Sequence, residues 1–274
     1  MVQNKGLIFK QVPEGWPKPG QDLAVEDRPI DLDQSLPEGS LLVKNFYASY
    51  DPYQRGRMRA PEAKSYSPPF ELGKPMTNRS IFKVVKSNSD KFKEGETLIT
   101  TGVTPIEEYS VLNKDLVAGC RKLENPYNLD PKYFLGPLGM PGLTAWSSFY
   151  EIGQPKKGET IFISAASGAV GQLVGQLAKH EGLTVIGSVG DDKKLDFIKS
   201  ELNFDAGFNY KKEKPADALA RLAPNGIDIY YENVGGEQLE AAINAMNNFG
   251  RIIACGMISQ YNVKPGNSTP SATS

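Results

Sequence analysis

The segment Thr160–Gly171, TIFISAASGAVG, has the residue types and spacing of a phosphate-binding turn. A short apolar run leads into a turn of small residues, and Val170–Glu181 then has apolar residues at helical spacing. The turn fits the dinucleotide pattern G-x-G-x-x-G as Ala166-x-Gly168-x-x-Gly171, with alanine at the first position. Gly168 lets backbone approach a pyrophosphate, Gly171 lets the helix pack on the strand, and the helix amides face the phosphates. An ordinary tight turn is the alternative, but the strand–turn–helix context favours nucleotide binding.

Regular alternation of strands and helices surrounds this turn and must position it. Strands are predicted at Thr160–Ser164, Thr184–Ser188, Ala206–Asn209, Asp228–Glu232 and Arg251–Cys255. Helices are predicted at Val170–Glu181, Lys193–Leu202, Pro215–Leu222 and Gly236–Asn247. Such alternation predicts an α/β fold with a doubly wound parallel sheet, in which five of the usual six strands are present.

The N-terminal half has a different texture. Fifteen of the twenty prolines precede Gly142, in short alternating runs such as Ser40–Tyr47, which predicts an irregular, mostly β domain. We therefore expect one domain over 1–142 and a nucleotide-binding domain over 143–262. Residues 263–274 are polar and rich in Pro, Ser and Thr, so a disordered tail is predicted there.

Composition excludes several function classes. Thirty-one basic residues balance thirty-two acidic ones, so no nucleic-acid partner is expected, and no segment resembles a leader or a membrane span. Two cysteines, Cys120 and Cys255, fit a reducing cytoplasm. With His180 as the sole histidine, a conventional zinc site has too few ligands, so no metal is predicted.

Several motifs together resemble the zinc-independent medium-chain dehydrogenase/reductases, in the branch of prostaglandin reductases, leukotriene hydroxydehydrogenases and plant double-bond reductases with fungal members. The matching stretches follow one another along nearly the whole chain: Tyr50–Arg55, Glu107–Val111, Gly139–Trp146, Ala165–Gly171, Phe208–Lys211, Glu232–Gly236, Gly250–Ile253 and Cys255–Tyr261. The resemblance implies a GroES-like β domain followed by a Rossmann domain, with the active site in the cleft between them.

Three departures from this pattern matter. Thr77–Phe82 replaces a stretch where relatives often carry glycines, and Trp146 stands where tyrosine is more usual. Relatives continue past the Ser-x-Tyr motif with a sixth Rossmann strand that commonly pairs across a homodimer. We therefore expect a C-terminally truncated member, in which the dimer and the completed substrate wall are open questions.

The end of the second Rossmann strand bears on coenzyme choice. The small residues of Val185–Gly190 are followed by Asp191, Asp192, Lys193 and Lys194. An acid at this point can hold the ribose 2′-hydroxyl of NAD, so NAD stays possible from the residues alone. The resemblance, however, assigns Lys194 and Tyr210 to a 2′-phosphate, and lysine suits that role as a point charge. NADP(H) is predicted.

The resemblance also implies the remaining coenzyme contacts. Met140 and Thr144 are expected beside the nicotinamide, and Ala169 and Val170 in the turn with Ala166. The path along the ribose and pyrophosphate is assigned to Asn233, Cys255, Gly256, Ile258 and Ser259.

Without a metal, hydride transfer in a dry cleft needs an acceptor that is already polarised, and an α,β-unsaturated aldehyde or ketone meets this condition. The resemblance places Tyr261 as enolate stabiliser or proton relay and Tyr53 on the opposite side of the pocket. Since an unperturbed tyrosine titrates at about 10, each is a donor at neutral pH. The predicted function is NADPH-dependent reduction of an enal or enone. Two alternatives stay open: a quinone oxidoreductase, and an inactive nucleotide-binding protein.

Overall fold

The computed structural model describes residues 1–263, which fall into two units, Met1–Leu135 and the chain from Gly136 onward. The predicted domain boundary after Gly142 stays a prediction, and the tail predicted over 263–274 lies almost wholly outside the described residues. No helix within the described range is long and apolar enough to cross a bilayer.

The first unit is built mainly of short antiparallel strands. Strands β1 (Lys5–Phe9) and β2 (Leu23–Asp27) pair with each other. The remaining strands are β3 (Leu41–Ala48), β4 (Thr77–Asn78), β5 (Ser80–Ser87), β6 (Thr97–Thr100), β7 (Thr104–Pro105), β8 (Tyr109–Leu112) and β9 (Cys120–Lys122). Five of them form an antiparallel sheet in the order β8-β3-β5-β6-β9, and β4 pairs with β7. The helices are α1 (Gln54–Arg57), α2 (Lys114–Ala118) and a 3₁₀ turn, Pro131–Phe134.

Alternating side chains close this antiparallel sheet over an apolar core. Leu41 and Val43 of β3 pack with Phe82 and Val84 of β5 and with Leu98 of β6, all of them buried. Burial of one sheet face against the core is the usual outcome for alternating strands. The expectation of a mostly β N-terminal region is met.

The second unit alternates helix and strand. It begins with α3 (Met140–Ser148), which runs into a π-helical turn, Phe149–Gly153. The elements that follow are β10 (Thr160–Ile163), α4 (Gly171–His180), β11 (Thr184–Val189), α5 (Asp192–Ser200), β12 (Ala206–Asn209), α6 (Pro215–Leu222), β13 (Ile227–Glu232), α7 (Glu237–Asn244) and β14 (Met246–Ala254). A 3₁₀ turn, Ile258–Gln260, comes last.

These strands form one parallel sheet in the order β12-β11-β10-β13-β14. Both faces of β10 are buried, since Ile161 and Ile163 pack into one apolar cluster and Phe162 into the other. Phe162 stacks on Tyr230 of β13 with ring centroids 5.1 Å apart. Strand order reverses between β10 and β13, where doubly wound sheets bind ligands. The predicted fold class is confirmed.

The largest difference from the predicted boundaries lies between α7 and β14. The apolar stripe through Ile243 suggested a helix to Asn247, but α7 ends at Asn244 and β14 already begins at Met246. The pairing of β13 with β14 shifts register between Ile227 and Ile229, which lets Met246 join the sheet ahead of the regular ladder. This irregularity depends on the neighbouring strand and leaves no local sequence signal.

Candidate functional site

The turn after β10 brings helix α4 directly against the end of the strand. Ala165 adopts a left-handed conformation with φ of 49°, and the amide of Gly168 donates to its carbonyl at 2.9 Å. A Cβ placed on Gly171 would lie 2.5 Å from the Ala165 carbonyl oxygen and 3.0 Å from the Ala166 Cα. Only glycine permits this approach, so the role predicted for Gly171 has a geometric basis.

Alanine at the first motif position is accommodated by the neighbouring strand. Ala166 is fully buried, and its amide donates to the Ser188 carbonyl of β11 at 3.0 Å. A Cβ on Gly187 of β11 would lie 2.6 Å from the Ala166 Cβ. The missing side chain of Gly187 thus leaves room for the methyl group of Ala166, whose observed role is packing.

The turn leaves backbone donors available. The amides of Ala169, Val170 and Gly171 donate no hydrogen bond to any described residue, and α4 has no side-chain cap. Gly168 and Ala169 are exposed. Unpaired amides at a helix N-terminus bind phosphate groups well. The turn therefore fits the pyrophosphate of a dinucleotide.

Side chains at the ends of β10 and β13 are tied together at the point where the strand order reverses. The backbone N–H of Asn233 donates to Ser164 Oγ at 2.9 Å, and Asn233 Nδ2 donates to the Ser164 carbonyl at 2.8 Å. Asn233, predicted as a coenzyme contact, thus lies beside the segment that enters the turn.

Glu232 organises the same loop and was missed by the sequence analysis. Its side chain is buried, with 1% exposure. One carboxylate oxygen accepts from Tyr230 Oη at 2.9 Å, from Val234 N at 2.6 Å and from Gly235 N at 2.8 Å. Ser164 Oγ is a fourth donor to this oxygen, at 3.4 Å. An acid at the end of a strand was visible in the sequence, but its donors were not.

The segment after β14 runs alongside this loop. The amides of Cys255 and Gly256 both donate to the Glu232 carbonyl at 3.0 Å, and the amide of Ile258 donates to the Asn233 carbonyl at 3.1 Å. A Cβ on Gly256 would lie 3.0 Å from the Tyr261 hydroxyl oxygen. The structure therefore brings the predicted residues Asn233, Gly256, Ile258 and Tyr261 together.

Two further predicted residues lie close by. Ser259 Oγ donates to the Val234 carbonyl at 2.5 Å. Cys255 is exposed as a residue, but its sulfur lies against the Tyr231 hydroxyl, and burial raises the pKa of the thiol. A groove of about 760 Å³ is lined by Ser259 and by Tyr210, together with residues of α7.

Tyr210 and Lys194 lie at the carboxyl ends of β12 and β11. The Tyr210 amide donates to the Val189 carbonyl at 3.0 Å, and a Cβ on Gly190 would lie 2.6 Å from the Tyr210 hydroxyl oxygen. Lys194 is exposed in the first turn of α5 and forms no ion pair with any described residue. Its ammonium group is thus available to an anionic ligand.

Met140 and Thr144 lie on α3, both half-buried. The Thr144 carbonyl accepts from Ser148 Oγ at 2.7 Å, and Ser148 Oγ is 2.8 Å from the Tyr231 hydroxyl of β13. This pair of bonds anchors α3 to the sheet. Within residues 1–263, no hydrogen bond joins Met140 or Thr144 to the turn after β10, so their contact with a nicotinamide stays a prediction.

Tyr53 belongs to the first unit, where it precedes α1. Its hydroxyl donates to Asn78 Oδ1, and the buried Asn78 in turn donates to Asp51 Oδ2 at 2.7 Å and to the Ser49 carbonyl at 2.8 Å. Burial, followed by the charge of Asp51, raises the pKa of Tyr53. Asn78 lies in the stretch Thr77–Phe82, so a residue of this stretch positions the Tyr53 hydroxyl. The catalytic role of Tyr53 stays a prediction.

Within the described chain, no group of three or more acidic, histidine or cysteine side chains could hold a metal ion.

Comparison with known proteins places this geometry in a family. A family model described as the N-terminal domain of oxidoreductase matches residues 5–119, and one described as zinc-binding dehydrogenase matches residues 169–271. The chain is 63% identical to the NADP-dependent oxidoreductase RED1 of Cochliobolus heterostrophus, over 97% of this chain and 75% of that protein. It is 47% identical to the 2-alkenal reductase (NADP(+)-dependent) of Nicotiana tabacum, over 96% of this chain and 75% of that protein.

A solved structure agrees with these relatives. The crystal structure of CurA from Vibrio vulnificus in complex with NADPH superposes with a TM-score of 0.86 at 36% identity, over 98% of this chain and 76% of that one. The chain belongs to the medium-chain dehydrogenase/reductase family and is an oxidoreductase. The predicted family and enzyme class are thereby confirmed.

Proposed function

We propose that this oxidoreductase reduces the carbon–carbon double bond of α,β-unsaturated aldehydes and ketones with NADPH. The observation that carries the proposal is that the second unit contains two features together. The turn at Gly168 has amides without an acceptor, and the Tyr261 hydroxyl lies on the segment that is hydrogen-bonded to Asn233. Relatives named 2-alkenal reductase and, at 42% identity, (+)-pulegone reductase of Mentha piperita support this substrate class.

The predicted coenzyme, NADP(H), is confirmed. The Cochliobolus and Nicotiana relatives carry NADP in their names, and CurA was solved with NADPH. In this chain the amides of Ala169, Val170 and Gly171 fit the pyrophosphate, and Lys194 and Tyr210 flank the end of β11 where a 2′-phosphate would lie.

The chemistry then divides between coenzyme and protein. When bound, the reduced nicotinamide would supply a hydride to the β-carbon of the substrate. A proton from water, relayed through the Tyr261 hydroxyl, completes the reduction of the double bond. The protein orients that coenzyme through the turn amides and donates a hydrogen bond from Tyr261 to the substrate carbonyl oxygen. As negative charge builds on that oxygen, the hydrogen bond strengthens, because a fixed donor in a dry site favours developing charge. Tyr53, whose raised pKa keeps its phenol protonated, is proposed as a second donor that positions the substrate, for which its single O–H turns from Asn78 Oδ1 to the substrate oxygen.

Replacing Tyr261 by phenylalanine tests this proposal. We expect enone turnover to fall about 100-fold, the loss typical for one oxyanion donor, while the Kd for NADPH changes less than about twofold. Tyr127→Phe is the control, since Tyr127 is 82% exposed and lies in the first unit. Stopped-flow NADPH oxidation would be measured with enals, enones and quinones. An unchanged rate for Tyr261→Phe removes this residue from the mechanism, and turnover of quinones alone refutes the enone assignment.

A further inference from the structure

Two acids and four lysines surround the carboxyl ends of β11 and β12, where the proposed function puts the 2′-substituent of the coenzyme. They are Asp191, Asp192, Lys193, Lys194, Lys211 and Lys212. An acid at this place normally accepts the ribose 2′-hydroxyl of NAD, and it would repel a 2′-phosphate. The position of each carboxylate therefore bears on the choice between the two coenzymes.

Asp191 is engaged as a helix cap. Its backbone is extended, and its carboxylate accepts the amide N–H of Lys193 at 2.9 Å at the start of α5. A carboxylate in this role is held by the exposed amides and the positive end of the helix dipole. The Asp191 carboxylate is thereby engaged by the N-terminus of α5.

Asp192 is held from two sides. Lys212 Nζ pairs with Oδ2, and Asn209 Nδ2 donates to Oδ1 at 2.8 Å. The Lys212 bond, followed by the Asn209 bond, keeps the pKa of this carboxyl below its usual value. Asp192 is therefore a carboxylate with both oxygens in use.

Asn209 also fixes the turn that carries Lys212. The residue is 8% exposed, its Oδ1 accepts the Lys211 amide at 3.1 Å, and its carbonyl accepts the Lys212 amide at 2.9 Å. The buried residue Asn209 thus fixes the position of the Asp192 carboxylate and also the backbone of Lys212, which neutralises that carboxylate. Neighbouring Lys211 forms no ion pair with a described residue.

From this arrangement, and resting on the proposed function, we propose that Lys212 and Asn209 are positioning residues that set coenzyme choice. They hold the Asp192 carboxylate in a surface ion pair with the protein's own lysine, so that it neither accepts the 2′-hydroxyl of NADH nor opposes the 2′-phosphate of NADPH. Lys194 is then left as an unopposed cation beside Tyr210.

The test compares Lys212→Ala with its matched control, Lys211→Ala. Each variant removes one positive charge from the same turn, but only the first releases Asp192. Kd values for NADPH and NADH would be measured by coenzyme fluorescence at low ionic strength, with no substrate present. We expect Lys212→Ala to lower the preference for NADPH about fivefold, the upper range for an exposed charge pair, and Lys211→Ala to lower it less than about twofold. A general structural defect would weaken both coenzymes equally and leave their ratio unchanged.

An Asp192→Asn background separates two routes. If Lys212 acts through Asp192, then Lys212→Ala in that background has no more effect than Lys211→Ala. If the fivefold change in coenzyme preference persists in that background, Lys212 contacts the phosphate directly, and the inference is overturned. Equal changes in preference for Lys212→Ala and Lys211→Ala in the native background also overturn it. A native chain that binds neither coenzyme refutes the proposed function, and the inference falls with it. A native chain that prefers NADPH leaves only the inference at risk.

Discussion

Replacing Gly171 by alanine tests the geometry of the turn at its tightest contact. The added Cβ would lie 2.5 Å from the Ala165 carbonyl oxygen, about 0.9 Å inside ordinary van der Waals contact, and the backbone fixes the position of both atoms, so neither can rotate away. Helix α4 must therefore move relative to β10. Overpacking of this kind costs about 1–3 kcal/mol, which corresponds to a fall of roughly 2–12 °C in the thermal midpoint for a chain of this size.

The same displacement reaches the coenzyme. Moving the first turn of α4 by about 0.9 Å stretches a hydrogen bond from about 2.9 Å to beyond 3.5 Å, where little of it remains. One lost bond to a charged phosphate is worth about 1.5–3 kcal/mol, so the Kd for NADPH should rise at least about tenfold.

Thermal melts and coenzyme fluorescence titrations measure both effects. Gly56→Ala is the control, because no atom lies within 4 Å of its added Cβ and the residue is helical. It should leave both quantities unchanged or raise the midpoint slightly. A Gly171→Ala protein with native midpoint and native Kd would refute the packing argument. A lowered midpoint with native Kd would place the pyrophosphate away from this turn.

Two further predictions concern side chains outside the turn. Burial raises the pKa of the Cys120 thiol to about 11, so in a Cys255→Ser variant the remaining thiol should react with iodoacetamide at about pH 8 on the order of a hundredfold more slowly than free cysteine; an equal rate contradicts this. Arg251 donates to both Glu159 oxygens, at 2.8 and 2.7 Å, so Arg251→Ala should lower the urea midpoint near neutral pH. Burial raises the pKa of Glu159, but the bonds from Arg251 outweigh burial, so the pKa is lowered overall. The pair therefore stabilises the fold fully above about pH 4.5, and this stabilisation is lost as the pH falls. A variant with the same urea midpoint as the native chain at every pH would show that the pair adds no stability.

Local pattern was enough for most of the second unit. The predicted strand Ala206–Asn209 and helix Pro215–Leu222 have the observed bounds, and the strand leading into the turn ends one residue early, at Ile163. These elements are short, apolar on the buried positions and bounded by turn residues, so neighbouring residues suffice to define them. The start of β14 was not predictable, because its first pairing depends on the register of β13.

The phosphate-binding turn was likewise visible, since its small residues are contiguous. The supporting polar contacts were not, because they join residues far apart in sequence. Tyr53 and Asn78 are separated by 25 positions, Lys212 and Asp192 by 20, and Ser164 and Glu232 by 68. Each residue alone is compatible with an exposed polar role, and only the fold reveals its partner.

The buried carboxylate of Glu232 has a consequence for how fast a coenzyme can associate. Its donors include the amides of Val234 and Gly235, which a phosphate could otherwise attract. The loop is therefore pre-organised by a side chain of the protein itself and does not depend on an incoming ligand for its shape. Little conformational entropy is left to lose there, so association at this edge of the sheet should approach a simple docking step, with a single-exponential rate proportional to coenzyme concentration.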